Sequence, residues 1–203
     1  MRPLFRFWYL ICVGTATQTE VKEQIDLVYS LIHQQVDAIV LVPIDSKALV
    51  QPAVEAVRKG IPVINIDIQL DAQLLEQAGV EVAFVGPDNF AAAYEVGKLL
   101  GKKLRNEDKV AIIEGLAVAD NARQRKRGFI KAIEEKGLRL VASEPADWET
   151  EKAAEVFQAM WMRYPDLKAV YCSNDAMALG VLQQMQEKKC YLPVVGFDND
   201  AVM

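Results

Sequence analysis

The sequence predicts an α/β protein of two similar lobes, each a parallel sheet flanked by helices, and three observations predict it. Apolar runs of strand length alternate with helical stretches, the pattern of parallel sheets joined by right-handed crossovers. One β-α-β unit then occurs twice. Asp37 to Asp45 (DAIVLVPID) leads through a helical stretch to Ile61 to Asp67 (IPVINID), and Lys168 to Asp175 (KAVYCSND) leads through another to Leu192 to Asp198 (LPVVGFD). Asp45 and Asp175 stand 130 residues apart, Asp67 and Asp198 131, and an Ala-Leu pair (Ala48-Leu49, Ala178-Leu179) follows the first strand of each copy. Thirdly, Phe84 to Phe90 (FVGPDNF) lies between the copies and reads as a crossing point. The expected division is therefore a first lobe over residues 1–85 and a second over 86–203. Ligands of open parallel sheets bind outside the carboxyl ends of the strands, and two such edges ending in carboxylates would make a cleft.

Taken in order, Phe7 to Gly14 reads as a strand feeding the first helix, and Thr17-x-x-Glu20 as a capping box for that helix. Val21, Ile25, Val28, Leu31 and Ile32 recur at helical spacing, and the only histidine, His33, falls at the helix end. Ile39 to Val42 is a continuous apolar run, the mark of a strand covered on both faces. Pro43 cannot donate to a ladder and ends it. A helix then runs to Arg58-Lys59 and stops at Gly60, and Pro62 opens the strand that ends in Asp67. Ile68 to Glu81 reads as loop with a short helix, and Val82 to Val85 as a strand. Asp88 or Asn89 caps a helix over Phe90 to Leu104 that buries Ala93, Val96, Leu100 and Leu104.

Val110 to Ile113 begins the second lobe's strands. Helix Ala122 to Lys136 ends at Gly137, strand Leu138 to Ala142 follows, and Ser143 to Trp148 is a loop. Helix Glu149 to Arg163 packs through Ala153, Val156, Phe157, Met160 and Trp161, with Pro165 beyond it. Strand Ala169 to Cys172, a helix carrying Met177, Val181, Leu182 and Met185, and strand Val194 to Phe197 complete the chain.

Composition narrows the function. With 52% hydrophobic and 25% charged residues the chain has ample core material. A net charge of −5 and a pI near 5.1 argue against a nucleic-acid surface. Cys12, Cys172 and Cys190 are odd in number and irregularly spaced, which excludes a disulfide framework and any CxxC motif. Met1 to Val13 sets basic residues before an apolar run, as an export signal does, but Arg6 interrupts it and no clear cleavage site follows. The run is too short to span a membrane. Catalysis finds no support: His33 is remote from every strand end, and neither G-x-S-x-G, a phosphate loop nor a metal-ligand cluster is present.

The residues resemble the sugar-binding branch of the type I periplasmic binding proteins, the solute receptors of ABC importers. The resemblance rests on Val36 to Asp45, Gly60 to Asp67, Val85 to Asn89, Arg125 to Phe129 (RKRGF), Pro145 to Trp148, Ser173 to Gly180 (SNDAMALG) and Val195 to Asp198, in order along nearly the whole chain. It implies a monosaccharide or polyol ligand in an interlobe cleft, an ABC permease in the membrane as partner, a periplasmic or extracellular location, and no cofactor. It also implies a chain incomplete at both termini, lacking the first β-α unit and the elements after Asp198.

By the same resemblance the ligand contacts are Asp67, Arg125, Trp148, Asn174 and Asp198. The carboxylates would accept from sugar hydroxyls, the arginine would donate, the amide would do both, and the indole would cover the apolar sugar face. Four of the five have a plainer reading: the two aspartates as loop caps, Arg125 as one more solvated charge in Arg123 to Arg127, Trp148 as a cover for its own helix. Ile68 departs from the arginine that ribose receptors carry after this carboxylate, which argues against ribose. The ligand-binding core of lactose-repressor-type regulators shares the fold, but that reading needs a helix-turn-helix ahead of the core, and no helical stretch precedes Phe7.

Overall fold

A computed structural model describes residues 9–199. The chain runs α1 (Val21–His33), β1 (Ile39–Leu41), α2 (Val50–Arg58), β2 (Val63–Ile66), α3 (Ala72–Ala78), β3 (Ala83–Val85), α4 (Asn89–Gly101), β4 (Lys109–Glu114), α5 (Asp120–Lys136), β5 (Arg139–Pro145), α6 (Thr150–Arg163), β6 (Ala169–Cys172), α7 (Asp175–Lys188) and β7 (Val194–Val195). All pairings are parallel and make two sheets, β1-β2-β3 and β5-β4-β6-β7. The strands leading to Asp45 and Asp67 share one sheet, and those leading to Asn174 and Asp198 share the other. In the second sheet the chain leaves β4 for β5 on one side and returns to β6 on the other. This reversal opens a crevice at the carboxyl ends of β4 and β6.

The second sheet is covered on both faces. Val110, Ile112, Ala169 and Tyr171 face the α4–α5 side, where Phe129 stacks on Tyr171 with ring centroids 4.3 Å apart. Ala111, Ile113, Val170 and Cys172 face α6 and α7. Helices α4 and α5 approach closely because Gly128 has no side chain; a Cβ there would overlap the Phe90 carbonyl.

The first sheet differs from its sequence reading. Ile39, Leu41 and Val63 are buried with residues of α1 and α2, but Val40, Ile64 and Val85 on the other face are 63%, 41% and 64% exposed. The apolar run at Ile39 predicts cover on both faces, and among the described residues only one face has it. Likewise, Tyr9 to Gly14 is not a strand: Tyr9 and Leu10 are 88% and 93% exposed, and the segment pairs with nothing described. A strand is made by pairing rather than by apolarity, and among the described residues β1 has β2 as its only neighbour. Phe7 and Trp8 lie outside the described residues.

Smaller differences follow local chemistry. The Thr17 capping box is half formed: Glu20 accepts the Thr17 N–H at 2.7 Å, but the helix starts only at Val21. β5 extends through Ser143 to Pro145, beyond the expected Ala142, because β4 continues to pair with it. Proline is tolerated there since β5 is an edge strand. β7 stops at Val195, short of Phe197.

Candidate functional site

Arg125 is the centre of the crevice. It leaves α5 facing inward and is 6% exposed, so it is not a solvated charge of the basic run. Its Nε donates to Asn89 Oδ1 at 2.8 Å, and Nη1 donates to the Ser173 carbonyl at 2.7 Å and to Asp198 Oδ1 at 3.3 Å. One side chain thus ties together α4, α5, the end of β6 and the segment after β7. The guanidinium carbon lies 3.7 Å from the Phe197 ring centroid and 5.6 Å from that of Trp148. Burial pulls its pKa down, while Asp198, Tyr171 and Asp67 favour the charge. Among the described residues its Nη2 has no hydrogen-bond acceptor.

Asp198 is shared. Its Oδ1 meets Arg125, and its Oδ2 accepts the Asp175 N–H at 3.4 Å at the first turn of α7. Close by, the Asp175 carboxylate accepts the Phe197 N–H at 2.9 Å, which fixes the turn that presents Asp198. Asn174 also caps α7, its Oδ1 accepting the Met177 N–H at 2.9 Å. Its Nδ2 reaches the Trp148 carbonyl only at 3.5 Å, a weak contact that leaves donor capacity toward the crevice.

Trp148 is a wall. Asp147 and Trp148 take successive positive φ values of 50° and 71°, and the indole is 8% exposed. It lies over Gly115, where any Cβ would overlap the ring, so the glycine after β4 makes room for the aromatic after β5. Arg125, Trp148, Asn174 and Asp198 therefore come together at one sheet edge.

Asp67 comes from the other lobe. Buried Asn65 donates to the carbonyls of Leu41 and Ile68 at 3.2 and 2.7 Å and accepts the Leu70 N–H at 2.8 Å. That network folds the chain after β2 into a turn with Asp67 at φ 62°, its N–H bonded to the Val85 carbonyl. The exposed Asp67 side chain lines two openings. One, of about 230 Å³, is shared with Gln18, Ile44, Ile68, Leu116 and Trp148. The other, of about 350 Å³, is shared with Phe84, Asp88, Asp120 and Gln124. Ile68 itself is buried in the second lobe's apolar cluster. Among the described residues no group of acidic, cysteine or histidine side chains could hold a metal ion, and no helix is long and apolar enough to cross a membrane.

A family model described as periplasmic binding protein domain matches residues 8–203. The chain belongs to this family. It is 41% identical over 192 residues to a D-ribose/D-allose-binding protein of Pseudomonas aeruginosa, covering 94% of this chain and 60% of that one. It is 36% identical to the D-allose-binding periplasmic protein of Escherichia coli, covering 92% and 61%. Among solved structures, a solute-binding protein of an ABC transporter from Burkholderia multivorans matches with a TM-score of 0.88 at 42% identity, covering 91% and 66%. Another, from Actinobacillus succinogenes with bound D-allose, matches with 0.83 at 34% identity, covering 90% and 66%. The chain spans about 60% of the length of these curated relatives.

In this periplasmic binding protein domain, several residues of the crevice escape sequence reasoning. Phe197 precedes Asp198, and strand alternation would point the two apart. The strand stops at Val195, so both reach Arg125. Asn89 reads as a possible helix cap, but Asp88 takes the cap and frees the Asn89 amide for Arg125. The R-x-x-G-F motif is the one signal that could have linked them, since Gly128 seats α5 against Phe90 at the start of α4.

Proposed function

We propose that this chain is the solute-binding component of an ABC-type sugar importer, holding a monosaccharide or polyol between two lobes. One observation carries it: Arg125, Asp198, Asn174 and Trp148 converge at the carboxyl edge of the second sheet and face the side on which the first sheet presents Asp67. A sugar needs donors and acceptors around its rim and an apolar wall against its C–H face. Arg125 Nη2 would donate, Asp67 and Asp198 would accept, Asn174 would donate from Nδ2, and Trp148 with Phe197 would cover the ring. Residues 1–85 and 86–203 would be the two bodies that close on it, hinged near Val85-Gly86. The names of the relatives support the ligand class, and their description as ABC solute-binding proteins supports a permease partner and a periplasmic site of action.

Ile68 and Leu116 beside Asp67 make that end of the cleft apolar, which favours a ligand with fewer hydroxyls on that side. Thermal shift against D-allose, D-ribose, D-fucose and myo-inositol tests the reading, because a ligand of the folded state raises the melting temperature by mass action. At 100 times Kd the gain is about 2.7 kcal/mol, a shift of several degrees for a chain of this size. No shift with any of them at 10 mM, roughly a thousandfold above a Kd of about ten micromolar, would overturn the proposal.

A further inference from the structure

Helix α5, which carries Arg125, begins with an amide that its own sequence does not satisfy. Its N-cap residue is Ala119, whose methyl offers no oxygen to the first turn. The N–H of Asp120 instead donates to the hydroxyl of Ser46 at 2.8 Å, from the loop after β1 in the other lobe. Ser46 is fully buried, its own N–H donates to the Val118 carbonyl at 3.2 Å, and its carbonyl accepts the Asp71 N–H at 2.8 Å. The turn is fixed by Asp45, whose carboxylate accepts the N–H groups of Lys47 and Ala48 at 2.7 and 2.9 Å. Among the described residues, both hydrogen bonds that cross from residues 9–85 to residues 86–199 run through Ser46. We infer that Ser46 is a positioning residue: an interlobe latch that satisfies the start of α5 only when the lobes are together, coupling closure to the helix that holds Arg125.

The coupling has a direct physical content. When the lobes part, the Asp120 N–H and the Val118 carbonyl lose protein partners, and so do the hydroxyl and N–H of Ser46. Water can satisfy them, so opening is reversible, but the closed form gains a fixed set of bonds before any ligand arrives. Closure about a ligand in the cleft is part of the proposed function, and the latch rests on that reading for its effect on affinity. Its effect on lobe separation is independent of ligand.

The test uses the full chain as wild type, Ser46→Ala, Ala119→Ser and the double variant. It reads small-angle scattering without ligand, melting temperature, and calorimetric titration with D-allose. Ser46→Ala is expected to enlarge the ligand-free radius of gyration and to weaken D-allose about tenfold. Ala119→Ser supplies a local cap for the N–H of residue 121 or 122. In the double variant it is expected to restore the melting temperature while the chain stays open and weakly binding. If Ala119→Ser restores compactness and affinity as well, Ser46 is only a helix cap and the latch is wrong. An unchanged radius in Ser46→Ala also overturns it. If D-allose binds no variant, including wild type, the reading of this chain as an allose binder falls, and scattering alone decides the latch.

Discussion

Replacing Arg125 by methionine would separate the two jobs of its guanidinium, because the unbranched stem stays and the donors go. The amide oxygen of Asn89 and the carbonyl of Ser173, at 2.8 and 2.7 Å, both lie in buried residues and would lose a charged donor. A buried acceptor left unmade costs about 1–3 kcal/mol, so the pair costs about 2–6 kcal/mol. Against this, burial disfavours the charged guanidinium, and that penalty vanishes with methionine. Asp198, with 46% of its side chain exposed, regains hydration and adds little. The thioether still packs on Phe197 and Trp148. The expected net loss is about 1–3 kcal/mol, which at a urea slope of about 2 kcal/mol per M lowers the midpoint by about 0.5–1.5 M. Sugar affinity should fall further, by about 2–4 kcal/mol or roughly 30- to 1,000-fold, since a charge-assisted donor leaves a closed site. Urea unfolding followed by circular dichroism and titration with D-allose measure both. A midpoint that is unchanged or raised would refute the guanidinium as a tie between four elements. Unchanged affinity would refute it as a ligand contact.

Gly115→Ala should displace the Trp148 indole at an overpacking cost of about 1–3 kcal/mol; a red-shifted tryptophan emission with weaker sugar binding is the expected signature, and unaltered emission would contradict it. Cys172 is fully buried and burial pushes its thiol well above the usual range, whereas Cys12 is exposed. Alkylation mapped by mass spectrometry should therefore modify Cys12 in the native chain and Cys172 only on unfolding. Val40, 63% exposed on the open face of the first sheet, should promote self-association, so Val40→Lys should reduce it in sedimentation velocity without lowering the melting temperature. A wild-type chain that stays monomeric at high concentration would remove the basis for that expectation.

The legible parts of the sequence were those written in local chemistry. Pro43 and Pro62 bracket strands, the glycines at 60 and 137 end helices at positive φ, and the duplicated β-α-β unit gives two sheets. The candidate site residues were named through the resemblance that R-x-x-G-F and S-N-D help to carry, and four of the five lie together at one sheet edge. What escaped depends on pairing between distant segments. Tyr9 to Gly14 is apolar enough for a strand but has no neighbour among the described residues. β5 runs on to Pro145 only because β4 lies beside it. Ser46 as a partner of α5 across the cleft has no local signature: the alanine at position 119 shows only that something else must serve.

The two lobes bring unequal parts to the cleft, and the inequality predicts an order of events. On the second lobe Arg125 already holds Asp198, Asp198 already accepts from Asp175, and Asn174 and Trp148 are set by the start of α7 and by Gly115. Little ordering entropy remains to be spent when a ligand docks there. Asp67 stands on an exposed turn of the first lobe, and under the proposed closure it would be met last. A sugar should therefore engage the second lobe first and meet Asp67 afterwards. Asp67→Ala then removes a contact made late, so association should be nearly unchanged while dissociation quickens. A hydrogen bond to a charged group contributes about 1.5–3 kcal/mol, which is roughly 10- to 100-fold in the dissociation rate. Asp198→Ala disturbs the surface that the sugar meets first and should slow association as well. Stopped-flow fluorescence with D-allose separates the two. Slower association with unchanged dissociation in Asp67→Ala would mean that the sugar meets the first lobe first, and the proposed order would be reversed.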